Sequence, residues 1–330
     1  MAALEAMLAK MNGAALLPEL LTVLGVLIGA LALAGGLTFA ERSLLALWQD
    51  RCGPNRVGPF GLLQVVADTI KLFTKEDWVP PFADKPVFVA APAIIIISTL
   101  MSFAVIPLAP GIVVADLNVG LLFFLAMSSL AVYSITLGGW SANSKYALIG
   151  ALRAAGQMVS YEVFMGLSLM GVVAMTGSFN LGAIVRAQRH LWFCVPQCFG
   201  LVTFLIAGLA ETRRIPFDLP EAEAELVAGF HTEYSGMKFG MFFMGEYVGI
   251  ALISAITVVL FFGGWSGPIL PPIVWFLGKT AALIALFVLV RAGLPRLRYD
   301  QLMRLGWKWL IPLAILNVVV TGFLKVLLKG

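Results

Sequence analysis

Charge-free runs of twenty or more residues recur along the chain, separated by segments that collect nearly all of the Lys, Arg, Asp and Glu. About 20 apolar residues carry a helix across ~30 Å of hydrocarbon. The pattern predicts eight spans, at about 18–40, 88–108, 118–140, 157–176, 191–211, 241–262, 272–291 and 308–327. The apolar stretch 247–278 is too long for one helix. It contains Gly263-Gly264-Trp265-Ser266-Gly267-Pro268, a turn signal, and is divided there. The first run is too long and too poorly flanked for a typical signal peptide and is read as uncleaved. Loops are expected at 41–87, 141–156, 212–240 and 292–307. Within the first loop, Gln64, Asp68, Lys71 and Lys75 recur at helical spacing opposite a stripe of Leu62, Val66, Ile70 and Phe73. That is the pattern of an amphipathic helix lying at an interface or packed on a partner. The expectation is an all-α polytopic membrane protein with a single integral membrane domain over 1–330. It has about eight transmembrane helices, an amphipathic interfacial helix and large cytoplasmic loops. No internal repeat is visible.

Composition strengthens this reading. Hydrophobic residues make up 60% and charged residues 12%, against roughly half and a quarter in soluble domains. The mean hydropathy is +0.96. The net charge of +4 is scattered along loops with no basic face, which argues against nucleic acid as a partner. Orientation follows from the basic residues. With the N-terminus outside, the loops after spans one, three, five and seven carry 16 of the 22 Lys and Arg, while Lys10, Arg186, Arg189, Lys325 and Lys329 fall outside. Cytoplasmic loops hold the excess of positive charge, so both termini are expected on the periplasmic side.

Three Cys and two His give a metal little to bind. Iron–sulfur and structural zinc sites commonly take four such ligands, so no metal site is expected. No Gly-rich dinucleotide fingerprint and no phosphate-binding lysine loop is present. The chemistry therefore rests on ionisable residues at membrane depth, which are expensive there and functional candidates by default. Glu41 ends span one and Glu211 ends span five. For these two, a buried role and snorkelling to the interface stay equally open. Glu162 and Glu246 are flanked by apolar sequence and are expected to be buried. Lys279, inside span seven, suits either inward snorkelling or pairing with a carboxylate. The loop after span five holds Asp218, Glu221, Glu223, Glu225 and Glu233 among Pro216, Phe217, Pro220, Leu226, Val227 and Phe230. Carboxylates packed in an apolar setting cannot all ionise, and some should titrate near working pH.

At these residues the chain resembles the membrane subunit of respiratory complex I, the proton-pumping NADH:quinone oxidoreductase, that joins the membrane arm to the peripheral arm (the bacterial H subunit). Four long blocks carry the resemblance in order: ERSLLALWQDRCGPNRVGPFGLLQVVADTIKLFTKEDW from Glu41, ALRAAGQMVSYEV from Ala151, the acidic loop through EYSGMKFGMFFMGEY to Tyr247, and RAGLPRLRYDQLMRLGWK from Arg291. The resemblance implies a translocase component of the bacterial inner membrane, with no complete active site and no catalytic residue of its own. It would form much of a quinone chamber and begin a chain of proton-coupling carboxylates. Its substrate would be a quinone, expected to be ubiquinone, with FMN and iron–sulfur clusters in partner subunits and no cofactor bound by this chain. Its partners would be peripheral-arm and membrane-arm subunits, quinone and lipid. The matching positions assign Glu41, Arg42, Arg51, Gly53, Pro54, Asn55, Arg56, Asp68 and Lys71 to the chamber. Glu162, Glu211, Asp218, Glu221, Glu223, Glu225, Glu233 and Glu246 fall to proton coupling. Arg213, Lys279, Arg291, Arg296, Arg298 and Asp300 would be charge partners or docking residues. Arg214 and Cys52 match no role. The apolar faces of spans one and six would suit an isoprenoid tail.

Two other readings remain open at this point. A homologous component of a membrane-bound hydrogenase-type complex would share the fold and some acids. An autonomous ion transporter would also use intramembrane acids, but it commonly shows repeated halves and paired broken helices, which are not visible here.

Overall fold

The computed structural model describes residues 13–221 and 223–329. The side chain of Glu223 lies outside the description, as does Lys10. The described residues form helices: α1 (Gly13–Trp48), α2 (Gln64–Thr74), α3 (Lys85–Phe103), α4 (Gly120–Ser141), α5 (Lys145–Thr176), α6 (Leu181–Ala187), α7 (Cys198–Glu211), α8 (Glu223–Leu226), α9 (Gly236–Phe261), α10 (Pro272–Gly293), α11 (Tyr299–Leu305) and α12 (Ile311–Lys329). A π-helical turn, Gly306–Leu310, joins the last two.

Seven of these stretches are long and apolar enough to cross a membrane, and the chain is an all-α polytopic membrane protein. The longest helices overrun their apolar runs. Expected over 18–40, α1 continues to Trp48, and α5 starts at Lys145, a dozen residues before its apolar run. Hydropathy detects the part of a helix that needs lipid, not the part that projects beyond it.

The expected span 191–211 departs most. Only Cys198–Glu211 is helical there, 14 residues, or about 21 Å at 1.5 Å per residue. The preceding segment is irregular, and its backbone is paired within the protein. Cys194 N–H donates to the Phe261 carbonyl (2.8 Å). The Gln188 side-chain carbonyl accepts from Phe193 N–H (3.2 Å) and Gly263 N–H (3.0 Å). Irregular backbone at membrane depth is tolerated where protein satisfies it in this way.

At the centre is α9. From Ile250 to Phe261 every residue is buried, as expected of a helix that is apolar all round. It packs on α1, α3 and α10, while α5 joins α4, α7 and α12. Helix ends follow their local chemistry. Asn180 caps α6 by accepting from Ala183 N–H (2.7 Å), and Gly177 ends α5 in the left-handed conformation (φ 74°). Among the described residues Lys279 meets no carboxylate. Its ammonium donates to the carbonyls of Phe262 (2.7 Å), Gly264 (3.1 Å) and Ser266 (2.7 Å) beneath the Trp192 ring. It caps the carboxyl end of α9, where the helix dipole favours a cation.

Candidate functional site

At the amino-terminal end of α9, four segments meet: the end of α1, the loop after α7, the start of α9 and the end of α10. They enclose a cavity of about 370 Å³ whose wall includes Glu41, Arg42, Arg213, Arg214, Asp218 and Glu246. Aromatic residues, Phe230, Phe242 and Tyr247 among them, also line it. A cavity of this size, with aromatic walls and convergent polar groups, is an ordinary setting for a small ligand.

Arg214 organises the wall. Its Nη1 donates to Glu41 (3.2 Å), and its Nε lies 2.5 Å from Glu246, a close charge contact without hydrogen-bond alignment. Its guanidinium lies 4.5 Å from the centre of the Tyr247 ring. Arg291 donates to Glu41 from α10. Glu41, Arg214 and Glu246 are each no more than 9% exposed. Buried charges persist only when paired, and removing one partner strands the other. The cluster therefore ties together segments that stand 173 and 250 residues apart in sequence.

The acidic loop is seated by close backbone contact. Gly229 has φ 62°, and a Cβ there would lie 1.8 Å from the Pro220 carbonyl oxygen. A Cβ on Gly150 of α5 would come within 2.8 Å of Gly229. Gln157, fully buried, donates to the carbonyls of Ala210 (2.8 Å) and Phe217 (2.9 Å), holding the end of α7 and the loop on α5.

The loop carboxylates do not form one group. Asp218 and Glu221 face the cavity. Burial pushes Asp218 up to about 7, with Glu221 and Glu246 adding to the rise and Arg296 and Arg291 opposing it. Glu221 lies 3.9 Å from His231. Burial, with Arg213 nearby, pushes His231 down to about 4, so it is neutral at pH 7 and the contact is not an ion pair. Glu225 lies outside the cavity lining and is half exposed. It accepts from Arg153 (2.6 Å) and lies 3.7 Å from Arg296. The Arg153 bond holds its carboxyl below the ordinary range. Glu233 is half-buried and outside the cavity lining.

Glu162 and Glu211 form a second acidic group, brought near each other by α5 and α7. Each has a buried carboxylate oxygen without a protein partner. A smaller cavity of about 40 Å³ lies beside Glu211 and is lined by Thr99, Ser102, Ser128, Arg213 and Glu246 among others. Arg213 and Glu246 thus border both cavities.

Other expected positions lie further off. Arg42 reaches α2, donating to Asp68 (2.6 Å), which also accepts from Gln64 (2.9 Å). Despite partial burial, these bonds hold Asp68 below its ordinary value. The apolar stripe of α2 faces outward, with Val66, Ile70 and Phe73 all exposed. Arg51, Gly53, Pro54, Asn55 and Arg56 form a turn after α1 outside the cavity wall, and Lys71 is exposed. Arg298 and Asp300 pair at the surface (3.2 Å). Among the described residues no group of three or more His, Cys, Asp or Glu is placed to hold a metal.

Sequence reasoning gave no role to Arg214 or Arg153. The one signal for Arg214 was the Arg213-Arg214 doublet one residue beyond Glu211, at the point where an apolar run ends.

A separate, apolar groove of about 510 Å³ runs between α1, α9 and α10, lined by Gly29, Leu33, Leu37, Ala255 and Ile284 among others. Its lining reaches Ala40 and Leu44, which flank Glu41 in the chain.

The sequence model of the family described as NADH dehydrogenase matches residues 21–322. The H subunit of the NADH-quinone oxidoreductase of Methylococcus capsulatus is 60% identical over 301 residues, covering 91% of this chain and 95% of that protein.

Proposed function

The chain belongs to the NADH dehydrogenase family, as the membrane-embedded H subunit of an NADH-quinone oxidoreductase, and on that premise we propose that its charged cavity is the part of a quinone chamber that this chain supplies. One observation carries the reading: the buried Glu41–Arg214–Glu246 cluster forms the wall of a 370 Å³ cavity. Guanidinium N–H groups can donate to the carbonyl oxygens of a quinone head, and the aromatic lining suits its ring. The groove between α1, α9 and α10 suits an isoprenoid tail, with ubiquinone the expected substrate. Electrons would come from FMN and iron–sulfur clusters in partner subunits.

Reduction of a quinone to a quinol consumes two electrons and two protons. That changes charge and proton demand beside Asp218, Glu221 and Glu246. In a poorly hydrated cavity such a change is weakly screened, and closely spaced carboxylates pass it on by shifting one another's proton affinity. Glu246 borders the second cavity, beyond which stand Glu211 and Glu162. The reading is therefore a coupling route from the chamber into the membrane. Glu225, exposed and paired, suits holding the loop closed rather than relaying protons. The turn over 51–56 and the loop carrying Arg298 and Asp300 suit docking of peripheral-arm subunits.

The test is Glu246→Gln in the assembled complex, measured as NADH oxidation beside proton uptake in sealed vesicles. Gln keeps shape but cannot titrate. Turnover and proton uptake should fall together by about a hundredfold or more, of the order expected for a positioned proton-transfer group. Unchanged turnover and uptake, with assembly intact, defeats the reading. The protein would sit in the inner membrane with both termini periplasmic. A cytoplasm-only reporter fused after residue 330 should be silent, and strong signal there reverses that orientation.

A further inference from the structure

Arg213 has three properties that together call for an explanation. It is a non-glycine residue held at φ 55°, in the left-handed region where a side chain other than Asn or Asp is uncommon. It is 4% exposed, yet its Nε and Nη1 meet no acceptor among the described residues. It also borders both the larger cavity and the smaller one. Among the described residues, the Phe230 ring lies closest to its guanidinium in a defined geometry, 5.3 Å from the guanidinium carbon to the ring centre. Arg214, the next residue, is by contrast committed to Glu41 and Glu246. Strained backbone and unpaired buried donors persist where the surrounding structure enforces them, and they concentrate at functional positions.

The groups facing Arg213 divide into two sets. On the chamber side stand Glu246 from α9 and Asp218, Glu221 and His231 from the acidic loop, with Arg214 between. On the other side stands Glu211 at the end of α7, with Glu162 of α5 behind it. One guanidinium cannot donate fully to both sets. An arginine also does not lose its proton in this range, so it can respond only by changing which carboxylate it faces.

We propose that Arg213 is a positioning residue that links the chamber carboxylates to the Glu211–Glu162 pair, by donating to whichever set carries the negative charge. When a proton neutralises Glu246, the guanidinium turns toward Glu211 and favours its ionised form. The proton of Glu211 then passes to the neighbouring Glu162. No bond other than the carboxyl O–H bonds breaks or forms, and no electron moves. This inference rests on the coupling function proposed above and names the residue that connects its two halves.

The test uses the complete complex in sealed vesicles, with assembly checked on a native gel. Asn accepts left-handed backbone more readily than Arg, so Arg213→Asn removes the cation without adding strain. Losing a positive neighbour raises the proton affinity of Glu211 and Glu246. The acid limb of the turnover–pH profile should therefore move upward by about one unit or more, and proton uptake per electron should fall. Arg213→Lys should keep the native limb at reduced rate, because the charge survives. A native profile and native uptake ratio in Arg213→Asn would overturn the proposal. Failure of that variant to assemble would overturn it too, by making Arg213 a structural residue. A raised quinone KM with an unmoved profile would make it a substrate-binding residue instead, and equally end the proposal. Glu211→Gln separates the two levels of the argument. If it stalls proton uptake while Arg213→Asn is normal, only the role of Arg213 fails. If Glu211→Gln is itself normal, the coupling route through the inner pair fails with it.

Discussion

At the carboxyl end of α9, the Lys279 ammonium gives its hydrogen bonds to three carbonyl groups and rests against Trp192. At the amino end of the same helix, Arg213 and Arg214 stand among Glu41, Asp218, Glu221 and Glu246, and several of their nitrogens find no acceptor. Both regions draw cations into an apolar protein. In one, fixed dipoles satisfy the charge and nothing nearby titrates against it. In the other, the counter-charges are carboxylates whose protonation can change. Charge inside the protein is thus no single signal: its partner decides whether it fastens the fold or responds to chemistry.

The largest effect expected from that contrast is at Arg214. Arg214→Ala leaves Glu41 and Glu246 without their shared cation, and breaking a buried pair costs about 3–5 kcal/mol. The subunit should be missing from the complex on a native gel. Normal assembly would show the cluster to be hydrated and the pairing weak. Next comes Lys279→Met, which frees three carbonyls at the other end. Unmet buried acceptors cost about 1–3 kcal/mol each, less where water can reach them, so the complex should lose several degrees of thermal stability. Its turnover–pH profile and proton uptake ratio should stay native, and a shifted profile would erase the contrast between the two ends. The smallest effect belongs to Asp218→Asn. Asp218 is neutral below about pH 7 and ionised above it. Asn imitates the neutral form, so the variant should match the native enzyme on the acid side and diverge only on the alkaline side. Divergence on the acid side would mean that Asp218 is ionised there.

Much of this was legible in the sequence. A charged residue inside an apolar run is conspicuous, so Glu41, Glu162, Glu211 and Glu246 stood out, and α2 showed both its faces. What escaped was pairing at long range. Arg214 is marked locally only by the Arg doublet it shares with Arg213, which says nothing of its partner Glu41, 173 residues away. Glu225 looked equivalent to its neighbours in an alternating Glu–Ala run, yet Arg153 of α5 draws it to the surface. Lys279 was conspicuous, but the sequence could not show that carbonyls rather than a carboxylate awaited it. The segment 191–197 read as helix because it is apolar, whereas its backbone is bound to Phe261 and Gln188 instead.

The helix α2 has no fully buried residue, and its polar links to the rest of the chain include Arg42–Asp68 from the helix itself and Lys238–Asp77 (2.7 Å) just beyond its end. An element held so lightly opens on its own, without unfolding the bundle. Its amides should exchange with solvent deuterium far sooner than those of α9. During biogenesis the same segment can take its final seat after the spans have closed around one another.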